Sequence, residues 1–161
     1  MATAQASPKT TRPPVGGRSI LVADKDEMTR TATVAILQRL GFEVVEADDS
    51  KSTLAQARSR SYSCVILDLN LAETNAFELC RRLIAKAGWS WTPVIFTSLR
   101  HAQLDMQLGM RSGGFAYLPK PFKADQLLAA VGDALASEGQ MRQAQPNRKL
   151  LLDRAEAAIE R

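Results

Sequence analysis

Asp68 closes the apolar run Cys64-Val65-Ile66-Leu67, and Asp24 holds the same position after Ile20-Leu21-Val22-Ala23. Lys120 precedes Pro121 at the end of a third short apolar stretch. Apolar runs of this length read as buried strands, so each charged residue falls where a strand meets water. If the strands lie side by side in one parallel sheet, two carboxylates and one ammonium converge. The crevice beyond the carboxyl ends of such a sheet is where ligands and chemistry are found. Taken singly, an aspartate at a strand end often only starts a turn or caps a helix. The coincidence of three is what points to a site.

The elements that must position these groups follow from periodicity. Residues 19–23 read as the first strand. Asp26 caps a helix through residue 40, with Val34, Leu37 and Leu40 as its apolar stripe and Gly41 as its stop. A second strand covers 42–47, and Asp48-Asp49-Ser50 opens a short helix carrying Leu54 and Ala57. The third strand covers 63–67. Helical spacing returns at Phe77, Cys80, Leu83 and Ile84 and halts at Gly88. Pro93 leads into a fourth strand, 94–97, then a helix over 102–111 with Leu104, Leu108 and Met110 as apolar positions. Gly113-Gly114 break the chain before a fifth strand, 115–118, and a last helix over 122–136 carries Leu127, Leu128, Val131 and Leu135. Strict alternation of strand and helix means parallel strands joined by right-handed crossovers. The fold class is therefore α/β, a three-layer α/β/α sandwich around a five-stranded parallel sheet.

Composition bounds the function. The 161 residues suit one domain, and no apolar run approaches the roughly 18 residues a membrane-spanning helix needs. Net charge is +4, but residues 20–136 carry thirteen basic and thirteen acidic side chains, so the excess lies in the ends. A neutral body argues against direct nucleic-acid binding, which calls for basic charge on one folded face. Residues 1–17 read as a disordered leader, with no apolar stretch to serve as a secretory signal. Residues 137–161 read as a polar linker and a short amphipathic helix with Leu151, Leu152, Ala155, Ala158 and Ile159 on one stripe. That helix is too short to fold alone, so it docks, joins a partner or stays disordered. Cys64 and Cys80 read as buried thiols, which fits a cytoplasmic protein. Trp89 and Trp91 suit either an exposed aromatic contact or lids on the core.

Around these residues, the segments ILVADKDEMTR, VILDLN, VIFTS and AYLPKPF resemble the receiver (CheY-like) domain of two-component response regulators. The resemblance spans residues 18–136. It implies the doubly wound strand order 2-1-3-4-5 and a phosphoacceptor role for Asp68, which takes phosphate from a sensor histidine kinase or phosphotransfer protein. It further implies Mg²⁺ held by Asp24, Asp68 and the backbone carbonyl of Asn70. Ser98 and Lys120 would bind phosphoryl oxygens, Tyr117 would move inward when Ser98 engages phosphate, and the Lys120–Pro121 bond would be cis. The output would be a switched surface of fourth helix, fifth strand and fifth helix that meets an unknown protein target. Such a chain is a signalling protein, not a conventional enzyme.

Two departures bear on that expectation. The family's second acid after the first strand is Lys25 here, so Asp24, Asp68, Lys25 and Lys120 sum to zero. At an effective dielectric of ~20 and a separation of ~4 Å, an inward Lys25 would gain about 4 kcal/mol per carboxylate before desolvation, leaving Mg²⁺ weakly bound or absent. An outward Lys25 leaves a weakened metal site, with Asp26 or Glu27 as substitute carboxylates. The loop after Asp68 also lacks the family's proline and glycine. Arg100, two residues after Ser98, either leans over the site and alters phosphate lifetime or is a solvated surface charge.

The leading expectation is thus a single-domain response regulator, since 25 residues after Ala136 hold no output domain. The alternative is a phosphorylation-independent pseudo-receiver whose site is filled by Lys25. A small flavin or nucleotide enzyme is disfavoured because Asp24-Lys25-Asp26-Glu27 offers no glycine loop to cradle phosphate.

Overall fold

The computed structural model describes residues 18–71, 75–85, 92–99 and 103–137. Five strands alternate with five helices: β1 (Ser19–Ala23), α1 (Glu27–Arg39), β2 (Glu43–Ala47), α2 (Ser50–Ser59), β3 (Cys64–Asp68), α3 (Ala76–Ala85), β4 (Val94–Ser98), α4 (Gln103–Arg111), β5 (Ala116–Pro119) and α5 (Ala124–Ala136). The strands pair in the order β2-β1-β3-β4-β5, and every pair is parallel. The expected leader, the C-terminal helix, the tryptophan pair and Arg100 lie outside the described residues.

Parallel pairing explains why β1, β3 and β4 are buried along their whole length. Helices cover both faces of such a sheet, so alternation gives way to continuous apolar runs. Side chains still alternate in direction. Leu21, Val65, Leu67 and Phe96 face α2 and α3, where Ala57, Leu79, Cys80 and Leu83 close one core. Ile20, Val22, Ile66 and Ile95 face α1 and α5, where Val34, Leu37, Leu127 and Val131 close the other. Each fully buried leucine or isoleucine contributes roughly 1.5–3 kcal/mol.

Helix ends follow the sequence closely. Asp26 accepts a hydrogen bond from the Thr29 amide at 3.0 Å, and Asp49 accepts one from the Ser52 amide at 2.6 Å. Gly41, at φ 88°, takes the left-handed turn that closes α1. Leu40, expected on the α1 stripe, is the C-cap just past the helix and 38% exposed. The last helix starts at Ala124, two residues later than periodicity suggested, because the Lys123 amide is held by the Gln126 side chain at 2.8 Å. Both cysteines are buried, and burial pushes the Cys64 thiol up to about 12, which leaves it inert.

The largest correction concerns α4. Leu108 and Met110, expected to face inward, are 38% and 49% exposed. Among the described side chains, which leave out Leu104, the buried positions are Asp105, Gly109 and, just past the helix, Ser112, at helical spacing. The reason is the Phe96 ring, which fills the space beneath the helix. A Cβ on Gly109 would stand 3.0 Å from it, and a Cβ on Gly114 only 2.5 Å. A side chain at Gly109 would press on the Phe96 ring. Gly114→Ala should therefore lower stability by about 1–3 kcal/mol. Gly132, on an exposed part of α5 with nothing within 4 Å of its Cβ position, sets the contrast. Gly132→Ala should raise stability by roughly 1 kcal/mol through helix propensity. Urea unfolding of the two variants reads both signs.

Candidate functional site

Asp24 follows β1, Asp68 ends β3, Ser98 ends β4 and Lys120 follows β5. Backbone hydrogen bonds carry the ladder to these tips. The Asp24 amide donates to the Ala47 carbonyl at 3.0 Å, the Leu69 amide to Thr97 at 2.9 Å and the Lys120 amide to Ser98 at 2.7 Å. The tips are thus held in register by the sheet itself. The β1–β3 boundary, where the strand order reverses, lies between the two aspartates.

The three charged groups meet there. Lys120 Nζ lies 2.8 Å from Asp24 Oδ2 and 3.4 Å from Asp68 Oδ2. All three are buried, at 7%, 4% and 4% exposure. The remaining carboxylate oxygens are fixed by local turns: Asp24 Oδ1 accepts from the Asp26 amide at 2.9 Å, and Asp68 Oδ1 from the Asn70 amide at 3.2 Å. Arg30 donates to the Asp24 carbonyl at 2.8 Å while its Nε pairs with Glu46. The Lys120–Pro121 peptide is cis.

Burial is the main reason the Asp68 carboxyl sits above the ordinary carboxylate range, with the charge of Asp24 adding to it; Lys120 and the Asn70 amide pull the other way. Asp26 is exposed and held below its ordinary value, first by the Thr29 hydroxyl and amide. The Thr29 hydroxyl and amide both donate to Asp26 Oδ2.

Ser98 is buried and lines a cavity of about 740 Å³ together with Asp68, Asn70, Lys120 and Lys25. Tyr117 is half-buried against the Phe96 side of the sheet and is the register partner of Phe96. Lys25 is exposed, and among the described residues the ion pairs of Asp24 and Asp68 run to Lys120. Sequence reasoning missed the far wall of the cavity: Met28, Ala32 and Ile36 of α1, with Phe122 opposite. Their four-residue spacing was the available signal, beside the core stripe of Val34 and Leu37.

The residues do not fit a resident divalent ion well. Among the described residues no group of three acid, histidine or cysteine side chains gathers to hold one. Asp24 and Asp68 already share Lys120, and Asp26, the nearest substitute acid in sequence, serves as the α1 cap.

A doubly wound parallel sandwich with an acid–lysine cluster at its switch point defines a class, and the comparisons give its family. Residues 20–132 match the response regulator receiver domain, so the chain belongs to that family of two-component signalling domains. It is 33% identical over 116 residues to the transcriptional regulatory protein TcrA of Mycobacterium tuberculosis, covering 72% of this chain and 45% of that protein. It is 28% identical over 113 residues to the sensory transduction protein RegX3 of Mycolicibacterium smegmatis, covering 70% and 48%. The chain thus spans about half the length of the curated relatives it matches. Among solved structures, the chemotaxis response regulator CheY4 of Vibrio cholerae superposes with a TM-score of 0.70 at 25% identity, over 73% of this chain and 98% of that one. Receiver domains typically bind Mg²⁺.

The raised Asp68 carboxyl has a consequence for stability. An acid whose folded-state pKa exceeds its unfolded value is a cost once ionised. That cost is present above the folded pKa and disappears as pH falls below the unfolded one. Asp68→Asn removes the charge while Asp24 still pairs Lys120. Thermal unfolding at pH 7 should show the variant more stable, on the order of 1 kcal/mol. The gain should fade toward pH 4, and a destabilised variant at pH 7 would contradict the electrostatic assignment.

Proposed function

We propose that this domain accepts a phosphoryl group on Asp68 from a phosphohistidine of a sensor histidine kinase or phosphotransfer protein and thereby switches a protein-binding surface. The observation that carries the reading is the Lys120 ammonium held between the Asp24 and Asp68 carboxylates at the mouth of an open cavity. An Asp68 carboxylate oxygen forms the new bond to phosphorus as the donor's phosphorus–nitrogen bond breaks, and the departing imidazole nitrogen takes up a proton. Such a transfer asks for in-line positioning and for cationic and hydrogen-bonding groups against the equatorial oxygens. Lys120 and the Ser98 hydroxyl line the same cavity as Asp68 and supply them. The added group brings about −1.5 to −2 charges and three strong acceptors, so these partners gain bonds absent at rest.

The switch we assign runs from Ser98 at the end of β4 to Tyr117 on the neighbouring strand, and from there to the surface of α4, β5 and α5. Met106, Leu108 and Met110 stand exposed on α4 as the contact groups. A neutral folded body supports a protein rather than nucleic acid as the partner of this domain. No helix among the described residues is long and apolar enough to cross a membrane, and we place the protein in the cytoplasm. Domain limits of 18–136, with a leader before and a linker and short helix after, belong to this proposal. The filled-pocket alternative finds less support, because Lys25 is exposed rather than inserted between the aspartates.

Incubation with acetyl phosphate should add the mass of one phosphoryl group to the intact protein. Asp68→Asn should abolish the gain, and Lys120→Ala should slow it by an order of magnitude or more. Labelling that persists in Asp68→Asn would rule out this acceptor.

A further inference from the structure

We infer that Lys25 takes the place of a divalent metal ion at this site, so that phosphoryl transfer to Asp68 proceeds without magnesium. This rests on Asp68 being the acceptor and concerns what neutralises the group it receives.

The charge count comes first. The cavity holds Asp68 and Asp26 with Lys120 and Lys25 on its wall, and Asp24 beside them, so three carboxylates face two ammonium groups. A divalent ion entering that cluster would turn its net charge from −1 to +1. Mg²⁺ also sheds its water reluctantly and asks for near-ideal octahedral oxygen ligation. Here each candidate carboxylate oxygen already has a partner: Asp24 Oδ1 has the Asp26 amide, Asp68 Oδ1 has the Asn70 amide, and both Oδ2 atoms face Lys120 Nζ. Asp26 caps α1, its Oδ2 held by the Thr29 amide and hydroxyl.

Lys25 has what the substitute role requires. It adjoins Asp24 in sequence, lines the same cavity as Asp68 and Ser98, and is exposed. At rest its ammonium stays in water on a flexible stem. The arriving phosphoryl group brings negative charge to the cavity, and the ammonium then has a reason to turn inward. Lys120 is already committed to two carboxylates and cannot neutralise that charge alone. Lys25 is the further cation on the cavity wall among the described residues.

The test uses the full chain and the variants Lys25→Asp, Lys25→Ala and Lys25→Arg. A magnesium chloride titration is read by thermal unfolding, and acetyl phosphate labelling is read by intact mass in EDTA and in magnesium. The wild type should show no saturable magnesium stabilisation, and EDTA should change its labelling rate by less than about twofold. Lys25→Arg should behave alike. Lys25→Ala should lose roughly tenfold or more of the EDTA rate, as expected when a charge-stabilising group is removed. Lys25→Asp should gain magnesium-dependent stabilisation and label only with the metal. All three changes fall at an exposed position, so folding is not at stake. Saturable magnesium stabilisation of the wild type, or EDTA-sensitive labelling of it, overturns the inference alone. No labelling of any protein in either condition removes the acceptor reading and this inference with it.

Discussion

Everything at the carboxyl edge of this sheet depends on one ammonium group serving two buried carboxylates. Asp24 lies close enough to oppose the ionisation of Asp68, and both carboxylates are buried. Lys120 reaches both. A buried ion cluster of this kind does not by itself make a fold stable, since desolvation consumes much of the Coulomb gain. Its value lies in poise. The arrangement keeps an acidic oxygen facing the cavity, oriented by a turn amide, with a cation already in place.

That poise is built from backbone, not from side-chain packing. The parallel ladder continues one residue past the strands at Asp24, Leu69 and Lys120, so the clustered charged groups sit on hydrogen-bonded backbone. The two cores on either side of the sheet are apolar and closed, and neither has to rearrange for the tips to act. At the periphery, by contrast, most described side chains of α4 and the residues around Tyr117 are exposed or only partly buried.

Much of this was readable in the chain before any coordinates. Apolar runs ending in Asp24, Asp68 and Lys120 located the strands and the site together, because a buried parallel strand leaves an unbroken hydrophobic run and a polar tip. Asp26, Asp49 and Gly41 marked helix ends for the same local reason: capping is a short-range property. Helix α4 was misread because its inner face is set by a neighbour distant in sequence. Phe96 takes the volume, so Gly109 turns inward while Met106, Leu108 and Met110 turn out. Periodicity assumes that apolar means inward, and at that helix the assumption fails. The orientation of Lys25 was equally illegible, since a long aliphatic stem allows either answer and only surroundings decide it. The α1 row facing Phe122 escaped notice because its spacing merges with the core stripe beside it.

Helix α4 rests on the Phe96 ring through Gly109, with its thioethers and Leu108 directed at solvent. Thioether groups adapt to differently contoured surfaces. The outward groups that defeated periodicity thereby give this face of the sandwich a deformable apolar surface.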